Sequence, residues 1–130
     1  MPERMPELRA ITPMVPVANL DAAVTFFTET LGFVASFCME GFAYLKRDHV
    51  ALRLLQASFD TQDPARQQSC YIDVENLDAL YAELKPKLDQ LQDGRVRAPF
   101  NQDYGQREFH VTDEDALLIF FGEAIEGPKD

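Results

Sequence analysis

Two histidines are the side chains in this sequence best suited to acid–base chemistry. His49 follows Asp48 in a polar turn, and His110 alternates with Phe109 and Val111 in a run typical of a β-strand. A solvated turn is favoured over catalysis for His49, and a surface or dimer-contact position is favoured over catalysis for His110. The spacing of the Ser, His, Asp and Cys residues matches no nucleophile motif. The sequence therefore offers polar contacts for a ligand but no recognisable catalytic centre.

The two cysteines of the sequence are predicted to be free thiols. Only Cys38 and Cys70 occur in 130 residues, too few for a disulfide framework, and each lies among apolar residues. We expect both to be reduced, half-buried strand residues. The chain has no run of about 18 apolar residues, and its first ten residues include acidic ones where a targeting peptide would be basic or apolar. These features predict a cytoplasmic protein with no membrane partner.

The composition predicts one acidic domain. A chain of 130 residues with 46% hydrophobic residues is long enough for a single packed core. The formal net charge is −10, from 22 acidic and 12 basic residues, which would repel a nucleic-acid backbone and attract cations. Nucleic acid is therefore not an expected partner. The acidity serves solubility, or it steers a cationic small ligand.

An internal repeat indicates how the elements that position these side chains are organised. The hexapeptide VANLDA at 17–22 recurs as VENLDA at 74–79, an offset of 57 residues. The same offset superimposes two helical patterns of apolar residues: Leu20, Ala23, Val24, Phe27 and Leu31 on Leu77, Leu80, Tyr81, Leu84 and Leu88. Duplication of one unit explains both coincidences.

Each unit has the predicted order βαβββ. Strand-like runs in the first copy are 12–17, 33–39, 42–46 and 50–56, and in the second copy 69–74, 95–99, 106–112 and 116–122. Module 1 thus spans about 11–57 and module 2 about 68–123, with the polar segment 58–67 as a linker. The fold class is α+β, in one domain.

Residues typical of helix starts and ends flank the two helical patterns. Asn19 and Asn76 precede the two helical patterns, where their side chains can cap the first turn. Gly32 is placed to end the first helix. Pro86 falls inside the second helical pattern, where we expect it to kink or end the helix.

Two sequence motifs add a family resemblance over about residues 11–123. The run TPMVPVANLD at 12–21, with FF at 26–27 and LGF at 31–33, resembles the opening of bleomycin-resistance proteins. The run YGQREFHVTD at 104–113 is similar to an aromatic-Gly-x-Arg-Glu-Phe strand followed by an acidic turn, although that turn reads DEDA at 113–116 instead of DPDG. Together they resemble the glyoxalase, bleomycin-resistance and extradiol-dioxygenase superfamily. The resemblance implies two tandem modules forming a half-open mixed β-sheet barrel with helices outside, and a cleft completed by a second chain in a homodimer.

Enzymes of that superfamily hold a divalent metal through the first and fourth strands of each module. The resemblance aligns those positions with Thr12, Arg53, Ser69 and Phe120. Divalent metals require carboxylates, neutral imidazoles or thiolates, whereas this set offers two hydroxyls, a cation and a phenyl ring. The sequence therefore predicts no protein-bound metal and no cofactor.

The resemblance also implies a cleft lined by aromatic side chains. We expect seven residues to contact the ligand: Phe37, Tyr44, Arg53, Phe100, Tyr104, Phe109 and Phe120. Aromatic walls with Arg53 as a polar anchor suit a planar or amphipathic ligand. Arg53 is expected to pair with a carboxylate such as Glu108 in the absence of ligand. In an ordinary core, about half of such strand residues would pack under the helices instead.

Three functional hypotheses follow. The leading one is a non-catalytic protein of the bleomycin-resistance type that sequesters a small organic ligand in a dimeric cleft, where the aromatic walls would suit a planar ligand and the acidity a cationic one. The alternatives are a metal-dependent lyase, isomerase or dioxygenase of the superfamily, which the predicted metal positions oppose, and a protein whose role is contact with another macromolecule. Fold alone does not separate them.

Overall fold

The computed structural model describes residues 4–126 and contains two copies of the βαβββ unit. In the first copy, β1 (Met14–Val17) leads to α1 (Leu20–Thr25), which continues as a π-helical turn (Phe26–Thr30), and then to β2 (Val34–Met39), β3 (Phe42–Arg47) and β4 (Val50–Gln56). In the second, β5 (Gln68–Asp73), α2 (Leu77–Leu88), β6 (Val96–Asn101), β7 (Gln106–Thr112) and β8 (Leu117–Ala124) follow a short 3₁₀ turn (Pro64–Arg66). The α+β class and the duplicated order are confirmed.

Each copy forms its own four-stranded mixed sheet. The strand orders are β1-β4-β3-β2 and β5-β8-β7-β6, and the first and last strands of each copy pair in parallel. All other pairs are antiparallel meanders. The two sheets share no strand and do not close into a barrel. None of the helices in residues 4–126 is long and apolar enough to cross a membrane.

One face of each sheet is buried under the helices in a common core. Core side chains alternate along the strands and recur at helical spacing on the helices, as the repeat predicts: Val15, Val17, Leu45, Leu52, Leu54, Phe109, Val111, Ile119, Phe27, Leu31, Leu84 and Leu88. Because one cluster contains residues of both copies, the opposite faces of the two sheets point away from that core. We call these the first open face (β1–β4) and the second open face (β5–β8).

The two helices begin differently despite their matching sequences. Asn19 caps α1 as expected, since its Oδ1 accepts the Ala22 amide at 3.0 Å. The predicted cap at Asn76 is wrong: its backbone is left-handed (φ 62°) and its side chain makes no cap hydrogen bond. The Glu123 carboxylate from β8 accepts the amides of Asn76 and Leu77 instead, at 2.8 and 3.0 Å.

Pro86 lies inside α2, which continues two residues beyond it to Leu88, so Pro86 does not end the helix where it occurs. It lies in the last turn, where it removes a single backbone donor and the helix is about to stop. Gly32 does end the first helical segment, with φ 77°. A Cβ at Gly32 would lie 2.5 Å from the Arg47 guanidinium, which donates to the Leu31 carbonyl and to Glu83 on α2. Arg47 therefore joins the two modules.

Candidate ligand-binding site

The first open face carries three of the predicted ligand contacts. In β4, Arg53 lies between buried Leu52 and Leu54, so strand alternation directs it to the open face. Its neighbour across the ladder is Tyr44, and the Arg53 guanidinium lies 5.0 Å from the centre of the Tyr44 ring. Phe37 on β2 pairs with Tyr44 and is 54% exposed. The planar guanidinium of Arg53 thus lies over the Tyr44 ring in a cation–π contact.

Several other side chains of this face are apolar and exposed. Met14, the pairing partner of Arg53 on β1, is exposed, as are Val34 and Met39 on β2, and Phe42 lies 6.2 Å from Phe37, centroid to centroid. Every residue of β2 is exposed, including Cys38, which is therefore not half-buried as predicted. A contiguous apolar surface of this kind marks a binding or association surface.

The second open face carries a row of rings. Phe120 on β8 stacks on Tyr71 of β5 at 6.0 Å and contacts His110 of β7 at 4.2 Å between ring centres. His110 in turn meets Phe100 of β6 edge-on at 5.2 Å. The Arg97 guanidinium covers Phe100, at 3.6 Å from the ring centre. Both open faces therefore combine aromatic rings with a stacked guanidinium.

A fully buried carboxylate lies within this row. Glu108 is 0% exposed, and its carboxylate accepts hydrogen bonds from the Tyr104 hydroxyl at 2.5 Å and the Gln102 amide at 3.1 Å. His110 Nε2 lies 2.8 Å from the same carboxylate. Burial alone would raise the pKa of Glu108, but these hydrogen bonds hold it at about 2, so the group is anionic at neutral pH. The bond to this anion also raises the pKa of Tyr104 to about 12.

Two predicted features of the site are wrong. Phe109 is 0% exposed and belongs to the core, stacked on Phe121 at 4.7 Å and packed against Tyr81 of α2 at 5.1 Å. The alternation of β7 thus assigns Phe109 to the helices and His110 to the open face. Within one chain Arg53 does not pair with Glu108 either: the two lie on different sheets, and the donors to Glu108 are Tyr104, Gln102 and His110.

The predicted contacts form two groups within one chain. Phe37, Tyr44 and Arg53 lie on the first open face, and Phe100, Tyr104 and Phe120 border the second. Sequence reasoning missed Tyr71 as a ligand contact. Strand alternation could have identified it, because Cys70 and Ile72 on either side pack against the core. The Tyr71 ring lies over Gly122, where a Cβ would be 1.8 Å from its hydroxyl oxygen.

The four family metal positions do not fit a metal. Thr12 precedes β1, which begins at Met14; Arg53 lies on the first open face, and Ser69 and Phe120 lie on strands of the second sheet. Hydroxyls, a guanidinium and a phenyl ring are not the donors that hold a divalent cation. Within residues 4–126, no group of three or more His, Cys, Asp or Glu side chains is placed to hold one.

Other candidate chemistry in the described residues is weak. Cys70 is partly buried, and burial followed by the nearby Asp113 charge raises its pKa to about 11, which opposes thiolate formation. A cavity of about 520 Å³ lies between the modules on the helix side, lined by Arg47, His49 and Glu83 among others. None of the predicted ligand contacts lines that cavity. The aromatic open faces are therefore the better candidate site.

Comparison with known proteins shows the family of this chain. Residues 10–121 match the family model described as the Glyoxalase/Bleomycin resistance protein/Dioxygenase superfamily. A bleomycin resistance protein of Geobacillus stearothermophilus is 30% identical over 128 residues, covering 87% of this chain and 95% of the relative. A bleomycin resistance protein of Staphylococcus aureus strain MRSA252 has the same identity and coverage.

Solved structures share the fold. The bleomycin resistance determinant encoded on transposon Tn5 has a TM-score of 0.76 and 25% identity, covering 90% of this chain and 98% of that one. The bleomycin-binding protein from Streptomyces verticillus, complexed with copper(II)-bleomycin, has a TM-score of 0.75 and 23% identity, covering 95% of this chain and all of that one. With a matching family model over most of its length and relatives at 30% identity, this chain belongs to the glyoxalase/bleomycin resistance protein/dioxygenase superfamily.

Proposed function

We propose that this protein sequesters a small organic ligand, in the manner of a bleomycin resistance protein, on its aromatic open faces. The observation that carries the proposal is the second open face, where four rings and a buried carboxylate lie opposite the helix-covered core. Flat apolar walls with few polar groups suit a planar ligand. The names of the relatives support bleomycin or a compound like it as the first ligand to test.

A second copy of the chain completes the cleft in this proposal. The two open faces of one chain point away from their shared core, so they cannot enclose one ligand between them. A twofold dimer would place the first open face of one copy against the second open face of its partner, and would cover exposed Met14, Phe37 and Met39. The acidic chain, with net charge −10, favours a cationic ligand.

The proposal includes no protein-bound metal and no enzymatic step. The donor chemistry at the family metal positions supports that choice over a lyase, isomerase or dioxygenase, which would need the metal. We also propose a cytoplasmic location, consistent with two free thiols at Cys38 and Cys70, and no nucleic-acid partner, consistent with the negative charge.

Calorimetric titration with bleomycin tests the binding function. We expect saturable binding by the wild-type chain. In a separate unfolding measurement, the ligand at 100 times its dissociation constant should raise the free energy of unfolding by about 2.7 kcal/mol. Phe120→Ala should weaken binding roughly tenfold or more, because it removes the ring at the centre of the second open face. Lys87→Ala on α2 is a matched control that should leave binding unchanged.

Arg53 is tested separately. Arg53→Ala should weaken binding if the guanidinium over Tyr44 contacts the ligand as proposed. Unchanged affinity in Arg53→Ala would remove Arg53 from the site, and absence of bleomycin binding by the wild-type chain would contradict bleomycin as its ligand.

A further inference from the structure

Glu108 is an anion without a Lys or Arg partner among the described residues. Its carboxylate is held by Tyr104, Gln102 and His110, of which only His110 can carry a positive charge. Arg107, its neighbour in sequence, points to the helix side and pairs with Asp78 on α2. These hydrogen bonds keep Glu108 ionised, so a cationic group that reached the carboxylate would gain an attraction between opposite charges that a neutral donor does not provide.

Two of the groups that cover Glu108 belong to the loop between β6 and β7, and the third, His110, belongs to β7. Tyr104 is 58% exposed and contributes only its hydroxyl to Glu108, while Gln102 approaches from the same loop. Gly105, with φ 88° and nothing within 4 Å of where its Cβ would be, adjoins Tyr104. Displacing the Tyr104 hydroxyl would therefore free one oxygen of the carboxylate, Oε2, without disturbing a core side chain, while Gln102 and His110 keep Oε1.

The rings beside Glu108 already hold a planar cation. The Arg97 guanidinium lies 3.6 Å from the centre of the Phe100 ring, and Phe100 meets His110 next to Glu108. An aromatic surface beside a carboxylate matches a flat ligand that bears a cationic N–H group. A charge-assisted hydrogen bond to Glu108 would be stronger than the neutral Tyr104 bond that it replaces.

We propose that Glu108 is the specificity-determining residue of the second open face, and that it binds an amidinium or protonated amine of an aromatic ligand in exchange for the Tyr104 hydroxyl. The flat part of the ligand stacks on Phe120 and His110. This inference rests on the proposed function, since it assigns one residue and one chemical group to the same site.

Nuclear magnetic resonance titrations with benzamidinium and its neutral isostere benzamide test this assignment. We expect the wild-type chain to bind benzamidinium more tightly than benzamide. Glu108→Gln, which keeps the shape and removes the charge, should abolish that preference and weaken benzamidinium binding about tenfold. Tyr104→Phe should strengthen benzamidinium binding roughly threefold, because it removes the competing donor while keeping the ring.

The controls separate this assignment from a structural role. Asp103→Asn removes an exposed charge from the same loop and should leave the preference unchanged. If Glu108 only stabilised the loop, Tyr104→Phe would weaken binding or leave it unaltered, which would overturn the assignment even if Glu108→Gln failed to fold. Equal affinity of the wild-type chain for both probes, with bleomycin still bound, would overturn this inference alone. Absence of binding for both probes and bleomycin would contradict both proposals.

Discussion

A single carboxylate outside the ligand site should control much of the pH dependence of stability between about pH 5 and 7.5. Asp113 is buried, and its Oδ1 accepts the amides of Asp115 and Leu117 at 2.9 and 3.0 Å. Its Oδ2 is buried with no hydrogen-bond partner among the described residues. Burial, helped by the charge of Asp115 and opposed by the two amides, raises the pKa of Asp113 to about 6.

The raised pKa makes the folded state favour protonated Asp113. The ordinary pKa of an aspartate is about 3.9, so between about pH 4 and 6 the folded chain binds the proton that the unfolded chain releases. This group therefore destabilises the fold increasingly as pH rises from about 4 to 6. Asp113→Asn keeps an acceptor for both amides, and should reduce the loss of stability between pH 5 and 7.5 by up to about 1–2 kcal/mol.

Urea unfolding of both proteins at pH 5.0, 6.0 and 7.5 measures this effect. Asp93→Asn, at an exposed position in the loop before β6, is the control and should retain the wild-type pH profile. Parallel profiles for Asp113→Asn and wild type would show that Asp113 titrates normally in the fold.

The limits of sequence reasoning are clearest at Phe109 and Glu108. A strand pattern predicts that these neighbours point to opposite faces, but it does not say which face the helices cover. The sequence predicts Phe109 as a ligand contact, whereas the structure buries Phe109 against Tyr81. Its charged neighbour Glu108 lies among the rings of the second open face. A buried glutamate is unexpected from sequence because its donors come from a loop and a neighbouring strand position.

At the scale of elements, the two helix starts should respond differently to mutation. Asn19→Ala removes the cap of α1 and should lower the free energy of unfolding by about 1 kcal/mol. Glu123→Ala removes the acceptor for two amides of α2 and should cost about 1–2 kcal/mol. Asn76→Gly should be neutral or stabilising, because the left-handed backbone suits glycine and the Asn side chain provides no cap.

Chemical denaturation of the three variants distinguishes these roles. If the Asn76 side chain capped α2, Asn76→Gly would lower the free energy of unfolding by a few tenths of a kcal/mol instead of leaving it unchanged or raising it. A loss of that size at Asn76→Gly would contradict the capping of α2 by Glu123.

Two glycines in left-handed turns provide a second matched comparison. The backbone is left-handed at Gly32 (φ 77°) and Gly41 (φ 80°), where L-residues are strained. Substitution of either glycine by Ala should therefore lower the free energy of unfolding by about 1 kcal/mol. Only at Gly32 would the new Cβ also displace Arg47 from the Leu31 carbonyl and Glu83. Gly32→Ala should therefore be clearly more destabilising than Gly41→Ala in urea unfolding. Equal losses would mean that Arg47 contributes nothing to joining the modules.

Sequence periodicity predicted most elements but not their partners. The runs at 50–56 and 106–112 coincide with β4 and β7, because clear alternation and turn residues bound them. β1 begins two residues later than predicted, at Met14. The capping of α2 could not be predicted, because Glu123 lies 47 residues from Asn76 along the chain. The linker and module limits near 58–67 stay a prediction.

At the scale of the whole molecule, the exposed apolar residues of the first open face should drive dimer formation. Light scattering of the purified protein should give twice the chain mass of 14.8 kDa. Phe37→Asp should shift the mass toward the monomer, because Phe37 is 54% exposed amid other apolar side chains. Phe59→Asp, at an exposed aromatic in the segment before β5, should leave the dimer intact. A wild-type monomer at micromolar concentration would contradict the shared cleft.

We propose that this chain binds its ligand through aromatic faces and without a metal of its own. The most direct test is calorimetric titration of metal-free bleomycin into protein treated with a chelator and examined by elemental analysis. We predict saturable binding with less than about 0.1 metal ion per chain, unchanged when the protein is first incubated with Zn²⁺, Mn²⁺ or Fe²⁺ and the free metal is removed before the titration. Stoichiometric metal that resists the chelator, or ligand binding that appears only after a metal is restored, would contradict the account.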